Sequence, residues 1–164
     1  MPVSINGSGI IGGVSDFSSS NIALTDPEIT GGIYLGGTGS DNYLDDYEEG
    51  DWTPTADGFT FNLSYGRYVK VGKLVTAHFR INVTSQSSNT TVATINNLPF
   101  VSDSLNNYRI GGFISETNYT PTNQLTVYGA DSSSSVFLRD LPNNIEYQDL
   151  DALFVFGKII YHTT

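Results

Sequence analysis

The chain contains no cysteine. Disulfide frameworks, thiolate nucleophiles and cysteine-based zinc sites are therefore outside its chemistry. Basic residues are scarce, with seven Lys and Arg against 17 Asp and Glu, a formal net charge of −10. That balance repels phosphate backbones and anionic lipid, so no nucleic-acid or membrane partner is expected. Charged residues of both signs reach only 15%, below the ~25% usual for globular domains. Long apolar runs are missing too. The most apolar stretch, residues 153–161, is interrupted by Gly157 and Lys158, and a spanning helix needs about 20 residues. Met1-Pro2-Val3-Ser4 lacks the basic region and apolar core of a secretory leader, so synthesis in the cytoplasm is expected.

What is present is small, polar and aromatic. Ten Tyr and nine Phe accompany abundant Gly, Ser, Thr and Asn, a composition closer to all-β surface proteins than to helical cytosolic enzymes. The glycines are unevenly spread. Gly7, Gly9, Gly12, Gly13, Gly31, Gly32, Gly36, Gly37 and Gly39 make nine of the 17. Between them stand isolated residues such as Val3, Ile5, Ile10, Val14, Ile22 and Leu35, too sparse to close a core. Residues 1–43 therefore read as an extended Gly/Ser-rich arm, suited to grooves on neighbouring chains or to strand addition.

Beyond Trp52 the pattern acquires period two. Val75, Ala77, Phe79, Ile81 and Val83 alternate with Thr76, His78, Arg80 and Asn82, the signature of a half-buried antiparallel strand. Gly72-Lys73 marks a tight turn before it. Further strand candidates lie at 91–95, 109–115, 124–128, 135–141 and 152–161, separated by Asn, Ser, Pro and Asp clusters. Short strands at this spacing with no amphipathic helix predict an all-β head over residues 56–164, an antiparallel β-sandwich of jelly-roll type. The last strand carries apolar residues on both faces. Phe154, Phe156 and Ile160 oppose Leu153, Val155, Ile159 and Tyr161, which makes the first three a candidate subunit interface.

Motifs for catalysis are weak. Gly7-Ser8-Gly9-Ile10-Ile11-Gly12 matches G-x-G-x-x-G, but no buried strand precedes it and no helical period follows. His78 and His162 stand outside any metal-binding or triad spacing. No enzyme activity, cofactor or metal is expected, although two carboxylates meeting in a cleft would leave no signature. The loops offer candidate sugar or protein contacts at Tyr108, Asn118, Tyr119, Asn123, Asn144, Tyr147 and Gln148, where rings can stack and amides can bridge hydroxyls.

Between arm and head lies the string LDDYEEGDWTPT, residues 44–55, an acidic junction holding the only Trp. Six of the 17 carboxylates fall between Asp41 and Asp51. They read as a solvated acidic turn, since their spacing is not that of a Ca²⁺ loop. Leu44, Tyr47, Trp52 and Pro54 are the candidate anchors, with Trp52 buried because one indole supplies large area and a single N–H to satisfy.

This string resembles a segment that recurs in tail-fibre and other surface proteins of tailed bacteriophages, where LDDYEEG-x-WTP separates an N-terminal arm from a β-rich domain. SINGSG, GRYVKVGKLVTAHFRINV and INNLPF resemble the same family, over roughly residues 1–100. Asp51 stands where that family more usually has Thr. The resemblance implies a structural protein of the virion surface; the arm and the both-faces-apolar last strand add the expectation of a homotrimeric knob or fibre, anchored to capsid or tail proteins by its arm. It further implies attachment to a bacterial surface polysaccharide or protein. The alternative is a capsid-decorating cement protein that binds no receptor.

Overall fold

The computed structural model of the chain describes residues 32–57, 59–86, 90–104, 110–121, 123–149 and 154–164. Residues 1–31 of the expected arm lie outside the described residues, as do Tyr108 and Leu153.

The described chain is all-β and antiparallel. In order the strands are β1 (Ile33–Tyr34), β2 (Tyr43–Leu44), β3 (Tyr47–Trp52), β4 (Phe59–Val71), β5 (Leu74–Gln86), β6 (Thr94–Ile95), β7 (Ile110–Thr117), β8 (Leu125–Gly129), β9 (Val136–Asp140), β10 (Asn143–Asn144) and β11 (Phe154–His162). β1 and β2 form a small hairpin in which the rings of Tyr34 and Tyr43 lie 4.8 Å apart. The other nine belong to one sheet, ordered β10-β9-β8-β7-β11-β5-β4-β3, with β6 added to β9.

The β4–β5 hairpin is the spine of this sheet. Val71 pairs with Leu74 across the two-residue turn Gly72-Lys73. Gly72 takes φ +54°, a left-handed value that tight hairpin turns require and glycine adopts without steric cost. As the alternation predicts, Val75, Ala77, Phe79, Ile81 and Val83 are buried, while His78 and Arg80 face outward. β11 lies against β5 with Ile159 opposite Ala77 and Gly157 opposite Phe79. Val155, Ile159 and Tyr161 thereby join the same core, each such burial stabilising by roughly 1.5–3 kcal/mol.

The strand order closes on itself. Just beyond β3, the Thr55 N–H donates to the Asn96 carbonyl (3.2 Å), and the Asn96 N–H donates back to Thr55 (2.6 Å). Asn96 directly follows β6, at the other end of the sheet. The sheet therefore curls round its inward side chains, and its far edges are tied by one bridge. Residues 90–104 complete the cover: Ala93 donates to Ile145 (2.7 Å) and accepts from Leu138 (2.9 Å). Ser102 is buried yet satisfied, donating to Ala130 (3.0 Å) and accepting from the Ser133 N–H (2.9 Å).

Half of the acidic stretch is strand rather than turn: Glu48, Glu49 and Asp51 lie in β3, while Asp41, Asp45 and Asp46 stay outside it. All six residues of β3 pair with β4, from Tyr47 opposite Val71 to Trp52 opposite Gly66. Pairing is tolerated because the carboxylates find donors across the strand. Glu48 accepts from the Tyr68 hydroxyl (2.7 Å), and Asp51 accepts from Tyr65 (2.9 Å) and meets Arg67 at 3.3 Å.

Candidate functional site

The expected anchors divide into two kinds. Trp52 is buried, and its Nε1 donates to the His78 carbonyl across two strands (3.1 Å). Pro54 is fully buried, its carbonyl accepting from the Ser64 hydroxyl. Tyr47 is 61% exposed, and its hydroxyl donates to the Glu49 carboxylate (3.0 Å). That carboxylate raises the Tyr47 hydroxyl pKa, first through the hydrogen bond and then through its charge. Leu44 is half-buried in the β1–β2 hairpin, opposite Ile33.

The loop candidates gather at one end of the sheet, mostly in structural roles. The Asn118 side-chain oxygen accepts from the Phe154 N–H (2.9 Å), fixing the start of β11. Tyr119 packs against the core and lines a small apolar cavity with Leu125, Leu138 and Val155. Burial raises its pKa most, with Asp140 and Asp149 adding to the shift. Asn123 donates its N–H to buried Asp140 (2.8 Å), Asn144 pairs with Arg139, and Gln148 donates to Glu146 (2.7 Å). The Tyr147 side chain lies outside the described residues.

The outward face of the central strands carries a different set. Registers place Tyr65, Arg80 and Phe156 in one cross-strand row, and Arg67, His78 and Lys158 in the next but one. Between them runs the row Gly66–Phe79–Gly157, whose side-chain positions point inward and leave bare backbone outside. The result is a surface depression of about 370 Å³ lined by Tyr65, Arg67, His78, Arg80, Ser115 and Phe156. The Arg80 guanidinium lies 4.7 Å from the Phe156 ring centre, a cation–π contact that holds it against the wall. Tyr65 has its pKa raised, first by its hydrogen bond to Asp51.

Towards the Gly72 turn the same face becomes apolar. Val69, Val71, Leu74 and Ile160 are each about two-fifths exposed, between 38% and 45%. The three interface candidates thus separate: Ile160 joins this apolar zone, Phe156 lines the depression, and Phe154 packs edge-on against Phe156 at 5.9 Å. His78 and Arg80 were legible as outward polar residues of one strand, whereas Arg67 and Phe156 join them only through the register between three strands.

Among the described residues no three His, Asp or Glu side chains converge as a metal site, and no helix is long and apolar enough to cross a membrane. Comparison with protein-family models, curated proteins and solved structures finds no match.

Proposed function

We propose that this chain is a structural protein of the tailed-bacteriophage virion surface, a homotrimeric knob that contributes to host attachment. The observation that carries the reading is the LDDYEEGDWTPT string with its flanking arm-like and strand-rich segments. In this reading residues 1–43 anchor the protein to capsid or tail proteins, and residues 56–164 form the displayed head. In the same reading the curled sheet of the head stands for the jelly-roll-like sandwich expected from the sequence. The outward zone of Val69, Val71, Leu74 and Ile160 supports self-association, because partly exposed apolar side chains clustered on one sheet face favour cover.

Light scattering of the full chain should return about three times 17.8 kDa, and a monomer would remove the trimeric knob. Labelled protein should also adhere to intact bacteria. Particles that lose shell stability without the protein, and adhere equally well without it, would favour the cement reading instead.

A further inference from the structure

We propose that the depression on the outward face of β4, β5 and β11 is a binding site for an anionic saccharide, a sugar bearing carboxylate or phosphate. The proposal rests on the attachment reading for the source of its ligand, and on the groove itself for the ligand's chemistry.

Charge is the first argument. The chain has seven Lys and Arg against 17 acids, yet Arg67, Arg80 and Lys158 share this one face with His78. Arg67 is directly opposite His78, and His78 directly opposite Lys158. Asp51 compensates Arg67 at one end of that row. Arg80 and Lys158 have no carboxylate within ion-pair distance among the described residues. An anion lying across the face would give Arg80 and Lys158 the partner that Asp51 gives Arg67.

Shape and wall chemistry are the second argument. At about 370 Å³ the depression falls within the ~300–1,000 Å³ range of small-ligand sites. Tyr65 and Phe156 stand on either side of Arg80 in one wall; the exposed Tyr65 ring can cover the apolar face of a pyranose, while Phe156 backs the guanidinium. Arg67 and Arg80 supply donors for carboxylate, phosphate and hydroxyl oxygens, and Arg is suited to bidentate recognition of planar anions. Ser115 spends its one O–H on the Phe156 carbonyl (3.1 Å), which leaves its oxygen at the rim as an acceptor for a sugar hydroxyl.

The test is calorimetry on the full-length protein at low salt, with tetragalacturonate, glucose 6-phosphate and neutral maltotetraose as probes. At least one of the two anions should bind, maltotetraose should not, and affinity should fall steadily as salt rises. Which anion binds decides between carboxylate and phosphate. Arg80→Ala should lower affinity about tenfold or more, the loss expected when a charge-assisted hydrogen bond is removed. Lys73→Ala, which deletes an exposed charge at the hairpin turn, should leave affinity unchanged. No binding of either anion, equal binding of maltotetraose, or an Arg80→Ala protein that binds like wild type would each overturn the site. So would a change of oligomeric state in Arg80→Ala, which would assign the groove to a subunit contact. Adherence to bacteria that survives Arg80→Ala would overturn the groove while leaving attachment intact. Saccharide binding by a protein that adheres to no cell would do the reverse.

Discussion

Trp52 fills the space that a side chain at residue 66 would need: a Cβ on Gly66 would come within 2.2 Å of the indole Nε1. The two residues face each other across β3 and β4, and the indole N–H is spent on the His78 carbonyl of the next strand (3.1 Å). One side chain thus fastens three strands. Trp52→Ala should cost ~3–5 kcal/mol, as for large aromatic truncations in a core. Gly66→Ala should destabilise as well, by about 1–3 kcal/mol, because overpacking forces the indole or the strand to shift. Chemical denaturation of both variants tests this, and a Gly66→Ala protein as stable as wild type would show that the contact relaxes freely.

Lys70 is 8% exposed, ion-paired with Asp46 and set 5.3 Å from the Phe100 ring centre. Removing the carboxylate strands a buried ammonium, whereas removing the ammonium leaves a carboxylate that is nearly half exposed. Asp46→Asn should therefore destabilise more than Lys70→Met, by about 1–3 kcal/mol. Equal losses in urea melts would mean that the pair contributes through packing alone.

Tyr161 is 2% exposed, and its hydroxyl donates to the Phe100 carbonyl (3.1 Å) and accepts from the Phe100 N–H (3.2 Å). Burial pushes its pKa up to about 12, partly offset by the Phe100 backbone hydrogen bond. An unfolded tyrosine titrates near ~10. Since the folded value is the higher one, this contribution is fully present below pH ~10 and is lost as pH rises towards 12. The loss should amount to ~2–3 kcal/mol. Tyr161→Phe should be less stable at neutral pH, with Phe100 left short of a partner, and should show a shallower alkaline decline than wild type. Parallel slopes for the two proteins above pH 10 would contradict the assignment.

Glu48 and Glu49 each accept from a tyrosine hydroxyl in exposed positions, Glu48 from Tyr68 (2.7 Å) and Glu49 from Tyr47 (3.0 Å). Glu48→Gln and Glu49→Gln should each change stability by less than ~1 kcal/mol. A chelator should leave the wild-type melting temperature where it is. A drop on chelation would mean that the acidic strand carries a cation.

Period-two alternation alone determined that β5 is a half-buried strand. Val75 to Val83 on one face and His78 with Arg80 on the other is a one-dimensional pattern, because successive strand side chains point oppositely. The turn at Gly72 was legible for the same local reason, as was the burial of Trp52 from its size and its single donor. Residues 47–52 were different. Their acids suggest a solvated turn when read alone, and only the register against Tyr68, Arg67 and Tyr65 makes a strand of them. The loop candidates show the same limit: Asn118 and Tyr119 have the composition of a binding loop, but packing commits one to the β11 backbone and the other to the core. The groove of Tyr65, Arg67, His78, Arg80 and Phe156 draws on residues up to 91 positions apart in the chain. Sequence sets which side of its own strand each residue occupies. Which side chains become neighbours is decided by strand order and register, and those follow from closing one core around many weak contacts at once.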